Sequence, residues 1–223
     1  MRKPIITIDG PAGAGKSTIA QRLAQALSFL NLESGAMYRA LALKALREGV
    51  PLDSEADLVR LAAHSKITLE PGPFGNLVWL DGCEVSARIR TDDVTEASSR
   101  LSVHPKVREW MVARQRQLGE GGGVVMEGRD IGTKVFPEAE LKIFLEASPE
   151  LRARRRILQG GGDPVDQAAV EAIAREIRDR DKRDRTRTAS PLVPAPDAIT
   201  IDSSSLSIQE VVDRILGLIP RHT

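Results

Sequence analysis

The segment Gly10-Pro11-Ala12-Gly13-Ala14-Gly15-Lys16-Ser17 constrains this chain most, because it is a complete G-x-x-x-x-G-K-[ST]. Ahead of it, Ile5-Ile6-Thr7-Ile8 is a β-branched run that ends at Asp9-Gly10 and predicts a buried strand. Behind it, Ile19, Leu23, Ala26, Leu27 and Leu30 recur at helical spacing. Strand, glycine-rich loop and helix is the context in which this motif binds phosphate. The glycines let the backbone curl with its N–H groups inward, and the helix start adds its positive dipole end. Gly10 to Ser17, with Thr18, are therefore expected to cradle a nucleoside triphosphate. Lys16 would reach the β- and γ-phosphates, and the Ser17 hydroxyl would help to hold Mg²⁺.

A chain of 223 residues suits one compact domain with one or two inserted lobes. With 32 Lys and Arg against 31 Asp and Glu the net charge is +1, which argues against a polyanion-binding surface but leaves room for a local basic pocket. Cys83 is the only cysteine, so neither an internal disulfide nor a cysteine zinc site is available, and a reducing cytoplasm fits. With His64, His104 and His222 it shows no metal-ligand spacing. Arg2 and Lys3 precede an apolar stretch far too short for a signal peptide, and no apolar run approaches a membrane span.

Strands and helices alternate at both ends of the chain. Met37, Leu41, Ala45 and Leu46 predict a helix that stops at Gly49. Turn signals crowd Glu70-Pro71-Gly72-Pro73, Gly75-Asn76 and Asp81-Gly82, so Ile67–Leu69, Leu77–Leu80 and the region of Val85 predict short antiparallel strands. Two polar helices follow over about 91–102 and 105–118. Val124–Met126, Leu141–Leu145 and Ala198–Ile201 predict further strands. Asp163-Pro164 is expected to open a long helix. Ser207 to Glu210 is a capping box for a last helix with Ile208, Val211, Val212, Ile215 and Ile219 as its apolar stripe. The pattern predicts a parallel α/β core with an α+β insertion around residues 33–118.

A phosphate loop does not name a reaction. The N-K-x-D of regulatory GTPases is absent, and the apolar runs at 124–126 and 141–145 end in Glu127 and Glu146 where motor ATPases place an Asp. A small phosphotransferase is favoured. If its acceptor is itself a phosphate, it must gather cations around two anions, a task suited to arginine's planar fork. Candidates are Arg39 in Ser34-Gly35-Ala36-Met37-Tyr38-Arg39, Arg108, Arg129 in Gly128-Arg129-Asp130-Ile131-Gly132-Thr133, and the set Arg180, Arg183, Asp184 and Arg187 at helical steps. Taken alone, Arg39 and Arg108 read as solvated cations and the 175–187 run as a salt-bridged solvent face.

Together these pieces resemble the bacterial cytidylate kinases (CMP/dCMP kinases), members of the nucleoside monophosphate kinases. The match runs nearly end to end and includes Phe136-Pro137 and Arg183-Asp184-Arg185 before Pro191-Leu192. The resemblance implies an α/β P-loop kinase fold: a five-stranded parallel sheet with helices on both faces, from residues 1–32, 119–150 and 163–223. It also implies a monophosphate-binding lobe at 33–118 and a lid at 151–162. The implied activity is transfer of the ATP γ-phosphoryl group to CMP or dCMP with Mg²⁺, by a cytoplasmic monomer that binds neither nucleic acid nor membrane.

Carried over motif by motif, Ser99, Arg108 and Asp130 would recognise cytosine, while Arg39 and Arg129 would hold the acceptor phosphate. Ser34, Arg180 and Asp184 would contact the ribose, with Arg187 near the sugar or phosphates. Lys16, Arg39 and Arg129 would act in catalysis. Of the lid arginines Arg152, Arg154, Arg155 and Arg156, one or two would close on ATP, Arg155 being the one assigned. Two departures stand out: Glu33 where Asp is common, and Lys134 where an apolar residue is frequent, expected to face solvent. Competing readings are a kinase for another acceptor (shikimate, dephospho-coenzyme A or a different nucleotide), a non-catalytic ATP-binding module, and an RNA binder using the 175–187 segment. Near-zero net charge and a single tyrosine, Tyr38, disfavour the last.

Overall fold

The computed structural model describes residues 2–72 and 75–220, so Pro73 of the turn read above and His222 lie outside the described residues. In chain order the first half contains β1 (Ile5–Asp9), α1 (Lys16–Leu27), β2 (Leu30–Glu33), α2 (Ser34–Arg47), α3 (Glu55–Ala63), β3 (Ile67–Gly72), β4 (Gly75–Leu80) and β5 (Cys83–Glu84). Then come α4 (Asp92–Leu101), α5 (Pro105–Gly119), β6 (Val124–Gly128), β7 (Leu141–Glu146), α6 (Pro149–Gln159), α7 (Gln167–Thr186), β8 (Ile199–Asp202) and α8 (Ile208–Leu218).

Five strands form a parallel sheet in the order β2-β6-β1-β7-β8. Every residue of β1 and β6 is buried, which explains their near-continuous apolar runs. Residues of alternate parity face opposite sides. Ile6, Ile8, Val125, Ile143 and Leu145 pack on Ile19 and Leu23 of α1 and on Val211, Val212 and Ile215 of α8. On the other face Leu32, Val124 and Met126 pack on Ile131 and Val135, with Val112 and Leu118 of α5 alongside. The sheet thus carries helices on both faces. The chain leaves β1 to build β2 and β6 on one side and returns for β7 and β8 on the other. The carboxyl end of β1 is therefore the point where the strand order reverses, which is where open α/β sheets bind ligands.

Outside the sheet, α2, α3, α4 and α5 share a core with an antiparallel sheet of order β3-β4-β5. Ile67 pairs with Leu80 and Leu69 with Val78, so the predicted antiparallel strands are present. A further apolar cluster joins Ala153 and Ile157 of α6 to Val170, Ala174 and Ile177 of α7.

Several local readings need correction. Leu30 belongs to β2, not to the first helix, because Ser28 turns left-handed (φ 52°) and closes α1. The long helix starts at Gln167 rather than at Pro164: Asp166 accepts hydrogen bonds from the Ala168 and Ala169 amides, while Asp163 accepts from Val165 in a separate turn. Ile208 is exposed and does not join the stripe of α8, although the capping box of Ser207 and Glu210 is present. Helices α3 and α6 have no counterpart in the sequence reading.

Candidate active site

The phosphate loop joins β1 to α1, whose first residue is Lys16. Gly10 and Gly15 adopt positive φ (148° and 94°), and a Cβ at Gly10 would collide with the Leu145 carbonyl oxygen of β7. The Lys16 ammonium donates to the Pro11 carbonyl at 2.7 Å. Burial, and then the neighbouring Arg129, push its pKa down to about 7. An anion beside it would restore the charge. The Ser17 hydroxyl donates to Glu127 at 3.0 Å. Glu127 is the next-to-last residue of β6, level with Ile8 of β1, and burial pushes the pKa of its carboxyl group upward.

Ser17 and Glu127 thus place two oxygen-bearing side chains at the loop. Mg²⁺ takes most of its coordination from phosphate oxygens and water, so these two groups fit it. No cluster of three or more His, Cys, Asp or Glu suited to a metal ion is present among the described residues.

A cleft of about 240 Å³ opens beside the loop, lined by Lys16, Ser34, Arg39, Ser99, Arg108, Arg129, Asp130, Arg180, Asp184 and Arg187. The structure therefore gathers all of the expected acceptor-side residues. Arg108 and Asp130 are only 4% and 5% exposed and form an ion pair. Arg108 also donates to the Ser102 carbonyl at 3.0 Å and lies 5.4 Å from the centre of the Tyr38 ring. Burial opposes its charge, but Tyr38, Asp130 and Asp184 outweigh that and hold it above the usual arginine value.

Asp184 sits between two cations, accepting from Arg129 at 3.2 Å and lying 3.9 Å from Arg187. Arg39 is paired with Glu33. Arg180 is pushed down to about 10 by burial and then by Arg129. Among the described residues, Nε of Arg39, Arg108 and Arg180 and one terminal nitrogen of Arg187 are buried without a hydrogen-bond partner. Buried donors with spare capacity around mutually repelling cations describe an anion site.

Arg183 does not join this cleft; it is exposed and lines an outer groove. Four-residue spacing places Arg180 and Asp184 together on α7, whereas Arg187 acts from the residue that ends it. The four arginines of α6 make different contacts. Arg152 is 3% exposed and donates to Ala147 at 2.9 Å, to Ala12 at 3.0 Å and to the Asp181 carboxylate. Arg154 bonds Pro164 and Gln167, and Arg156 faces Glu176. Arg155 reaches the phosphate loop itself, donating to Ala14 and to Ser203, both at 3.3 Å. With Thr18 it lines a groove along the loop. Lys134 is exposed, as expected.

The cytidylate kinase family model matches residues 6–221. The chain belongs to the cytidylate kinase family. A cytidylate kinase of Pelotomaculum thermopropionicum is 53% identical over 217 residues, covering 96% of this chain and 95% of that one. One from Lysinibacillus sphaericus is 51% identical over 219 residues, covering 98% and 97%. A bifunctional pantoate ligase/cytidylate kinase of Synechococcus is 50% identical over 222 residues, covering 97% of this chain but 41% of that longer protein.

Three features of the site escaped the sequence reading. In the sequence Glu127 stands only where motor ATPases place an Asp; its signal is an acid near the end of a buried strand that neighbours β1. Tyr38 lies within a quoted motif, yet its contact with Arg108 depends on how α2 packs on α5. Ser203, Leu206, Ser207 and Ile208 line the groove along the phosphate loop from the β8–α8 connection, which only the sheet order brings there.

Proposed function

We propose that this chain transfers the γ-phosphoryl group of ATP to CMP or dCMP, giving ADP and CDP or dCDP. The carrying observation is one cleft that joins Lys16 of the phosphate loop to the buried Arg108–Asp130 pair through a ring of arginines. Cytosine offers an N4 amine donor and an O2/N3 acceptor edge. A carboxylate has about four acceptor positions, so Asp130 can serve Arg108 and the N4 amine together. Arg108 and Ser99 donate to the acceptor edge. Ser34, Arg180 and Asp184 take the ribose, with Arg187 next to it. Arg39 and Arg129 hold the acceptor phosphate, which requires Arg39 to exchange Glu33 for the substrate.

The acceptor is already an oxyanion, so no protein base is needed. Its oxygen lone pair forms the new bond to the γ-phosphorus as the bond to the β–γ bridging oxygen breaks, and those electrons leave on ADP. Lys16, Arg129 and Arg39 stabilise the charge carried by the transferring group, and Arg155 steadies ATP over the loop. Ser17 and Glu127 are the groups that would hold Mg²⁺, directly or through water, and the ion would supply charge neutralisation at the ATP phosphates.

A coupled ADP-release assay with ATP, Mg²⁺ and a panel of CMP, dCMP, UMP, AMP, GMP and shikimate tests the reading. Fast turnover with CMP and dCMP and little with purines is expected. Preference for another acceptor would leave the phosphate-loop reading intact and overturn the roles of Ser99, Arg108 and Asp130. The reading also takes the enzyme to be a cytoplasmic monomer, and sedimentation tests its oligomeric state.

A further inference from the structure

The cytosine-reading and phosphate-holding residues Asp130 and Arg129 sit in a turn that follows β6, and one side chain outside that turn holds it. Asp9 ends β1 next to the phosphate loop, and its two carboxylate oxygens accept from successive backbone amides, Ile131 at 2.9 Å and Gly132 at 2.7 Å. Asp9 is buried, and among the described residues no lysine or arginine lies within ion-pair distance of it. Burial, the largest influence, raises its pKa to about 6 despite the two amide bonds. A carboxylate desolvated without an ion pair is retained at a cost in stability, so its two hydrogen bonds need a reason.

Gly132 supplies the fit. A Cβ there would stand 3.0 Å from Thr7 Oγ1, 3.3 Å from Lys142 Cδ and 3.4 Å from the Asp9 carboxylate, so a larger residue would crowd the turn where it comes down onto β1. Thr7 Oγ1 itself makes no hydrogen bond with the described residues.

We propose that Asp9 is a positioning residue for acceptor recognition: its bridge to Ile131 and Gly132 fixes Arg129 and Asp130 at a set distance from the phosphate loop. The inference rests on the proposed phosphotransfer to CMP. An Asn at this position keeps the shape but has one acceptor oxygen, and its amide would face a backbone N–H. The turn would then lift, and Asp130 would lose its register with the N4 amine before ATP binding suffers.

The test uses the full chain as wild type, Asp9→Asn, Gly132→Ala and the double variant Gly132→Ala/Thr7→Ala. KM and kcat are measured for CMP and UMP, and the Kd of ATP by calorimetry without acceptor. Asp9→Asn should raise the KM of CMP and lower the CMP-over-UMP preference in kcat/KM by about tenfold or more, with the ATP Kd within about threefold of wild type. Gly132→Ala should shift the preference the same way, and removing the Thr7 hydroxyl in the double variant should recover part of it. An unchanged CMP-over-UMP preference in Asp9→Asn, or an ATP Kd that weakens as much as the KM of CMP, overturns the proposal. If Asp9→Asn shows no cooperative melting, the glycine pair decides: absence of recovery overturns it. Wild-type protein that ignores CMP would instead sink the functional reading beneath it.

Discussion

At Lys16 the chain carries a charge that its own fold opposes. The lysine is held at about 7 by burial and Arg129, against an ordinary value of 10.5 in the unfolded chain. Between those values the unfolded state binds more protons than the native one, so stability rises with pH across that window. The charged form therefore weakens the fold at and below pH 7. The stability of wild type relative to Lys16→Met should be lowest there and rise by at most about 1.4 kcal/mol per pH unit toward pH 10. Urea unfolding of both proteins at pH 6, 7.5 and 9 checks this; a difference that stays flat or falls with pH contradicts it. Lys16→Met should also lose phosphotransfer. Residue-scale legibility followed covalent spacing. Lys16 and Ser17 were readable because the motif and its flanks are contiguous. Arg108 and Asp130 are 22 positions apart and join only by folding, so the resemblance brought both to the site but their ion pair was not legible in the sequence.

Helix α7 carries Arg180 and Asp184 into the cleft, so the groups that start and stop it set where those side chains stand. Asp166, not Asp163, accepts from its first free amides. Asp166→Ala should cost about 1 kcal/mol, the usual loss for an N-cap, and Asp163→Ala clearly less. Urea midpoints of the two variants at constant slope check the order, and a larger loss for Asp163→Ala would contradict it. Elements with a strong period or cap were legible: β1, β6, β7 and the capping box of α8. The edge strand β2 was not, since Leu30-Asn31-Leu32-Glu33 is short and only Leu32 is buried. Its apolar residues continue the helical spacing of α1, and the left-handed turn at Ser28 has no signature in residue type. Helix α6 did carry a signature, Ser148 accepting from Leu151 with Pro149 at the first turn, that the crowd of arginines obscured.

Across the whole molecule the sheet order does the assembling. It puts β6 beside β1, so that Glu127 meets Ser17 and the Arg129–Asp130 turn stands next to the phosphate loop. Meanwhile α2, α4, α5 and α7, which lie on both sides of β6 in the chain, bring Arg39, Ser99, Arg108 and Arg180 to the same cleft. The fold class was legible because strands alternate with helices at both ends. The depth of the cleft was not, since it depends on packing among helices distant in sequence. Burying the Arg108–Asp130 pair adds little to stability in general, which fits a pair kept for recognition. Asp130→Ala therefore tests the assembly most directly, through kcat/KM for CMP and the KM of ATP beside wild type. Loss of CMP use by about 100-fold or more, with ATP changed less than about twofold, is the expected result. Equal loss toward both substrates, or none toward CMP, would contradict a cleft that reads cytosine through Asp130.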